Sequence, residues 1–162
     1  MRGDQTEGSG PMEDVDRIMS VMAQAFDPHW GEAWTRRQIE DALALPSTGY
    51  ILANPAGAWP DDGQEAGAFA LTRQTLDEAE LLLIAVVPHL RGTGLGRSVL
   101  NQVIGKASQR GAAVVFLEMR HNNPAEFLYR SAGFQPVGRR PNYYRLADGS
   151  RLDAVTFALR LN

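Results

Sequence analysis

The stretch ELLLIAVVPHLRGTGLG, residues 80–96, decides the fold. It begins with an apolar run, Leu81 to Val87, that is too short to span a membrane and is typical of a buried strand. Three glycines follow at alternate positions, Gly92, Gly94 and Gly96, and apolar residues then recur at helical spacing. The sequence therefore predicts a central strand, a glycine loop and a helix in direct succession.

A loop of this kind can hold a large anion. The start of a helix presents free backbone N–H groups and partial positive charge, and glycine lets the main chain approach a ligand without a Cβ clash. Arg91 and Arg97 flank the loop, and guanidinium groups suit phosphate oxygens. We predict a pyrophosphate site here, with an ordinary glycine-rich turn as the alternative.

The composition limits the classes of protein to be considered. The 162 residues, 44% apolar and 22% charged, predict one globular domain at 12–162 after a polar, disordered tail at 1–11. The absence of cysteine excludes disulfides, thiolate metal ligands and a cysteine nucleophile. The three histidines lack ligand spacing, so we expect no metal. With no signal-peptide core and no membrane-length apolar run, we expect a cytoplasmic protein without membrane contact.

The charge is divided unevenly along the chain. Residues 1–90 hold 15 acidic and 5 basic side chains, whereas residues 91–162 hold 4 acidic and 11 basic ones. The basic half begins at the glycine loop. This division is expected if a polyanionic ligand binds at the loop and a cationic partner meets the acidic half.

Periodicity and turn residues predict the other elements. Capping boxes are expected at Thr35 with Gln38 and at Asn123 with Glu126, the latter opening a helix at Pro124. No strand is visible before Val15. We expect helices at 15–26, 35–45, 95–110 and 124–132, and strands at 50–53, 66–75, 78–87, 113–119, 135–144 and 152–161.

Two residues are candidates for acid–base chemistry. Alternation puts Glu118 on the same strand face as Val114 and Phe116, and a partly desolvated carboxylate is a plausible general base. A strand-end glutamate that reaches solvent or pairs with Arg120 is an equally good explanation. Tyr129 lies on the helix at 124–132, where a core tyrosine with its hydroxyl at the surface is the simpler reading.

Several motifs in register resemble those of the GNAT acetyltransferases, and the tail resembles the RimI branch of that family. The similarity covers about residues 12–160. It rests on Ile84-Ala85-Val86, Arg91 to Gly96, Leu117 to Arg120, Asn123-Pro124-Ala125, Leu128 to Phe134 and Gly138 to Tyr144.

This resemblance implies a fold and a reaction. The fold is an α/β (α+β) arrangement in which a mixed, mostly antiparallel sheet is splayed in the middle and has helices on both faces. RimI enzymes transfer acetyl from acetyl-CoA to the N-terminal alanine of a small-subunit ribosomal protein. By the same resemblance Glu118 is the general base and Tyr129 the general acid.

The resemblance also implies the binding residues. The cofactor would contact Ile84, Ala85 and Val86 through their main chain, the run Arg91, Gly92, Thr93, Gly94, Leu95, Gly96 and Arg97, and the side chain of Asn123. The distance from Asn123 to Tyr129 is one residue shorter than is usual in the family, so Asn122 is an alternative.

The expected acceptor is a basic N-terminal peptide, with no direct contact to nucleic acid. Its groove would be lined by Trp30 and Trp34, in the connector between the first two helices, and by Tyr143 and Tyr144. Packing between helices is the simpler explanation of the tryptophans. We expect a monomer or a weak homodimer.

Three other functions fit parts of the sequence. They are an acetyltransferase for a small-molecule amine or amino acid, a non-catalytic CoA-binding module, and a dinucleotide-binding protein. The last is disfavoured because the loop is Gly-x-Gly-x-Gly followed by Arg97, not Gly-x-Gly-x-x-Gly.

Overall fold

The computed structural model describes residues 11–161. The tail predicted at 1–11 lies outside this range except for Pro11, with which the first helix begins. The elements are α1 (Pro11–Ala25), α2 (Arg36–Leu43), β1 (Thr48–Ala53), β2 (Ala68–Thr75), β3 (Glu78–Val86), α3 (Leu95–Gln109), β4 (Val114–Arg120), α4 (Glu126–Ser131), β5 (Gln135–Arg145) and β6 (Arg151–Arg160), with short 3₁₀ turns at Pro28–Trp30 and Pro88–Leu90.

The six strands form one sheet in the order β1-β2-β3-β4-β6-β5. Every neighbouring pair is antiparallel except β3 and β4, which are parallel. The predicted fold class, a mixed and mostly antiparallel sheet with helices, is confirmed.

Helices cover both faces of the sheet because alternate strand residues point to opposite sides. In β1, Ile51 and Ala53 belong to the core cluster under α3, whereas Leu52 belongs to the cluster under α1 and α2. The same alternation runs through β2, where Ala70 faces α3 and Phe69 faces α1. The prediction of helices on both faces is therefore confirmed.

The sheet splits at its centre. β3 and β4 keep register over only three residue pairs, from Glu78 opposite Val114 to Glu80 opposite Phe116. Beyond Glu80, β3 stays paired with β2 on its other side as far as Val86. The two strands therefore diverge, and a wedge opens between them toward their carboxyl ends.

The sequence predicted one helix start correctly and another wrongly. Thr35 caps α2, and its side chain and that of Gln38 bond each other's main-chain N–H groups as a capping box. The capping box predicted at Asn123 does not form. Asn123 Oδ1 accepts instead from the N–H of Ala125, at 2.9 Å, and α4 begins only at Glu126. A tight Asx turn has replaced the first helical turn.

A buried ion pair fastens the long loop between β1 and β2. Arg17 and Asp14 are both almost fully buried on α1 and lie 2.8 Å apart. The guanidinium also donates to the main-chain oxygens of Gln64 and Asp61, both at 2.9 Å. This loop is thus tied to the first helix. Among residues 11–161, none of the helices combines the length and apolar character that crossing a membrane requires.

Candidate active site

The wedge between β3 and β4 is a cleft of about 710 Å³. One wall is the end of β3, and the opposite wall is the start of α4. The connector that follows α1 and the glycine loop before α3 also line it. The predicted site residues that line the cleft are Trp30, Ile84, Ala85, Val86, Arg91, Gly92, Gly94, Gly96, Arg97, Asn123 and Tyr129.

The glycine loop needs glycine for its backbone conformation. Gly92 and Gly94 have φ values of 79° and 90°, which side-chain-bearing residues rarely adopt, and a Cβ at either position would meet no atom within 4 Å. Gly94 is the N-cap of α3, and no side chain caps this helix. The first N–H groups of α3 therefore remain available to an anion in the cleft.

The two arginines flanking the loop make different contacts. Arg91 donates to the main-chain oxygens of Val86, at 3.2 Å, and of Ala25, at 2.8 Å, so it ties the loop to the ends of β3 and α1. Arg97 contacts Ser131 at 3.0 Å and thereby joins α3 to α4. Both guanidinium groups stay at the cleft wall.

Two predicted cofactor contacts, Thr93 and Leu95, do not line the cleft with the others. The Thr93 hydroxyl donates to the main-chain oxygen of Leu90 at 2.6 Å, and the Leu95 side chain is buried in the core. Their side chains shape the loop and anchor its helix.

Tyr129 lies on α4, lines the cleft and is only 6% exposed. Burial raises the pKa of its hydroxyl well above the ordinary value, and the nearby Glu32 carboxylate raises the pKa further. The phenol therefore stays protonated at neutral pH and can donate a proton.

Glu118 lies on β4 beside the cleft, not among the residues that line it. It shares its half-buried strand face with Val114 and Phe116, as alternation predicted. Its Oε2 accepts from the Thr156 hydroxyl at 3.3 Å and lies 3.3 Å from Nε of Arg140. The alternative pairing with Arg120 is not formed.

The aromatic residues predicted for the peptide groove separate into three positions. Trp30 lines the cleft, whereas Trp34 packs against the core between α1, α2 and the sheet. Tyr143 and Tyr144 lie on β5, outside the cleft lining, with ring centres 5.2 Å apart. Burial and the carboxylates of Glu118 and Glu32 raise the pKa of Tyr144 to about 12.

The glycine loop and the buried Tyr129 line one cleft. The carboxylate near Tyr129 is Glu32, whereas the predicted Glu118 lies outside the cleft lining. The model of the acetyltransferase (GNAT) family matches residues 15–134. The chain belongs to the GNAT acetyltransferase family.

This GNAT chain is similar in sequence to several named bacterial acetyltransferases. It is 38% identical to the N-alpha-acetyltransferase RimI of Mycobacterium tuberculosis over 154 residues, which cover 93% of this chain and 89% of that protein. It is 45% identical to the [ribosomal protein bS18]-alanine N-acetyltransferase of Escherichia coli over 96 residues, 59% of this chain and 64% of that one. The matched segment thus spans less than two thirds of the length of the Escherichia coli relative.

The solved structures agree with the GNAT assignment. The crystal structure of the ribosomal-protein-S18-alanine N-acetyltransferase from Escherichia coli superimposes with a TM-score of 0.77 at 30% identity. The superposition covers 96% of this chain and 92% of that one.

Two residues that the sequence did not place in the site, Glu32 and Arg120, lie together in the lining of the GNAT cleft. Glu32 comes from the connector and lies within 3.5 Å of the Asn123 amide nitrogen. Arg120 is 7% exposed, and its guanidinium lies 3.7 Å over the Trp30 ring. Its Nε is 3.3 Å from Glu32 Oε2 without hydrogen-bond geometry, so the contact is electrostatic. The one feature of the sequence that points to this cluster is the presence of Trp30 and Glu32 close together in the connector.

Of the two asparagines considered as cofactor contacts, only one lies in the cleft lining. Asn123 lines the cleft, and Asn122 does not. Asn122 adopts a φ of 70°, in the left-handed region that asparagine tolerates, and its main-chain oxygen accepts from Arg120 at 3.3 Å.

Within the part of the chain that the structure describes, no group of three or more histidine, aspartate or glutamate side chains could hold a metal ion.

Proposed function

We propose that this chain transfers an acetyl group from acetyl-CoA to the N-terminal α-amine of a ribosomal protein, with alanine as the accepting residue. One observation carries the proposal: the glycine loop and the buried Tyr129 open into the same cleft. The names of the relatives support the choice of acceptor.

The residues of the cleft fit acetyl-CoA, which would supply an activated thioester. The end of β3, Ile84 to Val86, is unpaired on the side of β4 and offers main-chain groups to the amides of the pantetheine arm. The loop from Gly92 to Gly96 and the first N–H groups of α3 would hold the pyrophosphate. Arg97 and Asn123, which both line the cleft, would contact the cofactor through their side chains.

The acceptor must lose a proton before it can attack. At pH 7 roughly a tenth of an N-terminal α-amine is neutral, compared with about 0.04% of a lysine side chain. An α-amine therefore demands little of its base. Glu118, held by Thr156 and Arg140, would accept the proton directly or through a water.

Tyr129 would complete the transfer. As the amine nitrogen bonds to the acetyl carbon and the carbon–sulfur bond breaks, the leaving thiolate needs a proton. The Tyr129 hydroxyl, kept neutral by burial, would donate it. No covalent intermediate on the enzyme is required, which agrees with a chain that has no cysteine.

Mass spectrometry tests the proposal. The purified chain is incubated with acetyl-CoA and the small-subunit ribosomal proteins, and the N-terminal peptides are then examined. We expect one protein to gain a single acetyl group on an N-terminal alanine. Under the same conditions a Glu118→Gln variant should lose at least about 100-fold in rate, because a positioned base contributes that much.

Two outcomes would overturn the proposal. Acetylation of polyamines, aminoglycosides or free amino acids with no ribosomal product would identify a small-molecule enzyme. Binding of CoA without any turnover, unaffected by Glu118→Gln, would identify a non-catalytic binding module.

A further inference from the structure

Glu32 is a carboxylate that the fold brings from the connector into the cleft, near Tyr129. It lies in the connector between α1 and α2, yet its side chain reaches the C-terminal end of β4 and the start of α4. Its contacts there are Arg120 Nε at 3.3 Å and Asn123 Nδ2 at 3.5 Å. Glu32 lines the cleft together with Tyr129, whereas Glu118 lies beside it.

The connector is held firmly enough to present this carboxylate in one place. Arg120 is buried at the end of β4 and stacks on the Trp30 ring at 3.7 Å, which is close for a cation–π contact. Trp30 ends a 3₁₀ turn that Asp27 caps through the N–H of His29. Glu32 contacts both the Arg120 guanidinium that stacks on Trp30 and the Asn123 amide, and these contacts limit the movement of its carboxylate.

The Glu32 carboxylate keeps an oxygen for a further partner. Among the described residues, both of its contacts use Oε2. Arg120 Nε makes no hydrogen bond, so this guanidinium supplies charge without a directed donor to Glu32. Oε1 can therefore accept a hydrogen bond from a group that enters the cleft.

The local charges call for one additional cation. Three charged groups are sheltered here: the side chains of Glu32 and Glu118 are each 23% exposed, and the side chain alone of Arg120 is 8% exposed. Arg140, paired with Glu118, is 60% exposed, and water screens its charge. The sheltered groups carry a net charge of −1, which a single ammonium group would balance.

We propose that Glu32 is the binding site for the protonated α-amine of the acceptor peptide. This inference rests on the proposed function, because it supplies the step before proton removal. The ammonium group, which predominates at pH 7, is received by Glu32 Oε1 beside the Tyr129 hydroxyl. Glu118 then takes its proton. Glu32 thus orients the amine and selects for a primary ammonium group, and Glu118 acts as the base.

The test compares two peptides that differ only in that ammonium group. The probes are a synthetic decapeptide that begins with alanine and carries three lysines, and its Nα-acetylated form. Binding of each to the protein saturated with CoA is measured by calorimetry at pH 7. For the wild type we expect the free-amine peptide to bind more tightly.

The Glu32→Gln variant should lose that preference. We expect binding of the free-amine peptide to weaken by about tenfold or more, because a hydrogen bond to a charged group is lost, while the acetylated peptide binds as before. Asp41→Asn is the matched control, since Asp41 is 70% exposed on α2 and lies outside the cleft. It removes the same charge and should change neither peptide's affinity.

Two results would overturn the inference. Equal weakening of both peptides would mean that Glu32 only holds the connector, and an unchanged preference would mean that it does not meet the amine. If Glu32→Gln fails to fold, Glu32→Asp serves in its place, since the shorter side chain should weaken only the free-amine peptide. If the wild type acetylates the peptide while the Glu32 variant gives either of these results, the proposed function stands and only this inference fails. A wild type that does not acetylate the peptide overturns both.

Discussion

Tyr129 shows at the residue scale what a sequence can and cannot establish. The motif Leu128 to Phe134 was sufficient to select it, and the structure puts it in the cleft. Its protonation could not be inferred from neighbours along the chain. Burial raises its pKa first, and the next contribution comes from Glu32, which lies far away in sequence.

Replacing Tyr129 by phenylalanine removes the proton donor and keeps the ring. We expect kcat to fall by about 100-fold or more, as for loss of a general acid, while KM for acetyl-CoA changes little. Steady-state kinetics with acetyl-CoA and an alanine-initiated peptide measure both constants. Tyr50→Phe, which removes a hydroxyl bonded to Asp14 outside the cleft lining, is the control and should leave kcat unchanged. A Tyr129→Phe variant with wild-type kcat would contradict the role of acid.

At the element scale, the sequence predicted the strand, the glycine loop and α3 almost residue by residue, because their signals are local. It misplaced the start of α4 because Asn123 can cap a helix or close an Asx turn, and local pattern does not distinguish the two. It predicted Trp30 of the connector in the site but not the contact of Glu32 with Asn123. The contact between Glu32 and Asn123 joins residues 91 positions apart.

The glycine loop allows a matched pair of substitutions within one helix. Gly94→Ala should lower the free energy of unfolding by about 1–2 kcal/mol, because alanine is strained at a φ of 90°. It should also weaken CoA binding by moving the first N–H groups of α3. Gly105→Ala, inside the same helix with open space around it, should instead stabilise the protein by about 0.5–1 kcal/mol.

Denaturant unfolding and CoA titration of the two variants measure these effects. If both substitutions stabilise the protein and leave CoA binding unchanged, the left-handed conformation of the loop does not matter for the site.

At the scale of the whole molecule, three buried or half-buried tyrosines, Tyr50, Tyr129 and Tyr144, have raised pKa values. Below about pH 10 each hydroxyl is neutral in both the folded and the unfolded chain, and its contribution to stability is complete. Above that pH the unfolded chain releases these protons first. Stability is therefore lost as the pH rises from about 10 toward the folded-state pKa values, about 12 for Tyr144.

Denaturant unfolding at a series of pH values checks this expectation. The difference in unfolding free energy between the wild type and Tyr129→Phe should be constant up to about pH 9 and shrink above about pH 10, since only the wild type loses the Tyr129 contribution. A difference that stays constant to pH 11 would contradict the shifted pKa.

The parting of β3 from β4 has a consequence for the protein on its own. A strand with unpaired N–H and C=O groups is a template for any extended chain, and proteins normally keep such edges short or covered. Here the template lies inside the sheet, from Leu81 to Val86, and faces an open wedge. The co-substrate that the proposed reaction consumes would thus also cover this unpaired edge of β3 and prevent it from pairing with strands of other chains.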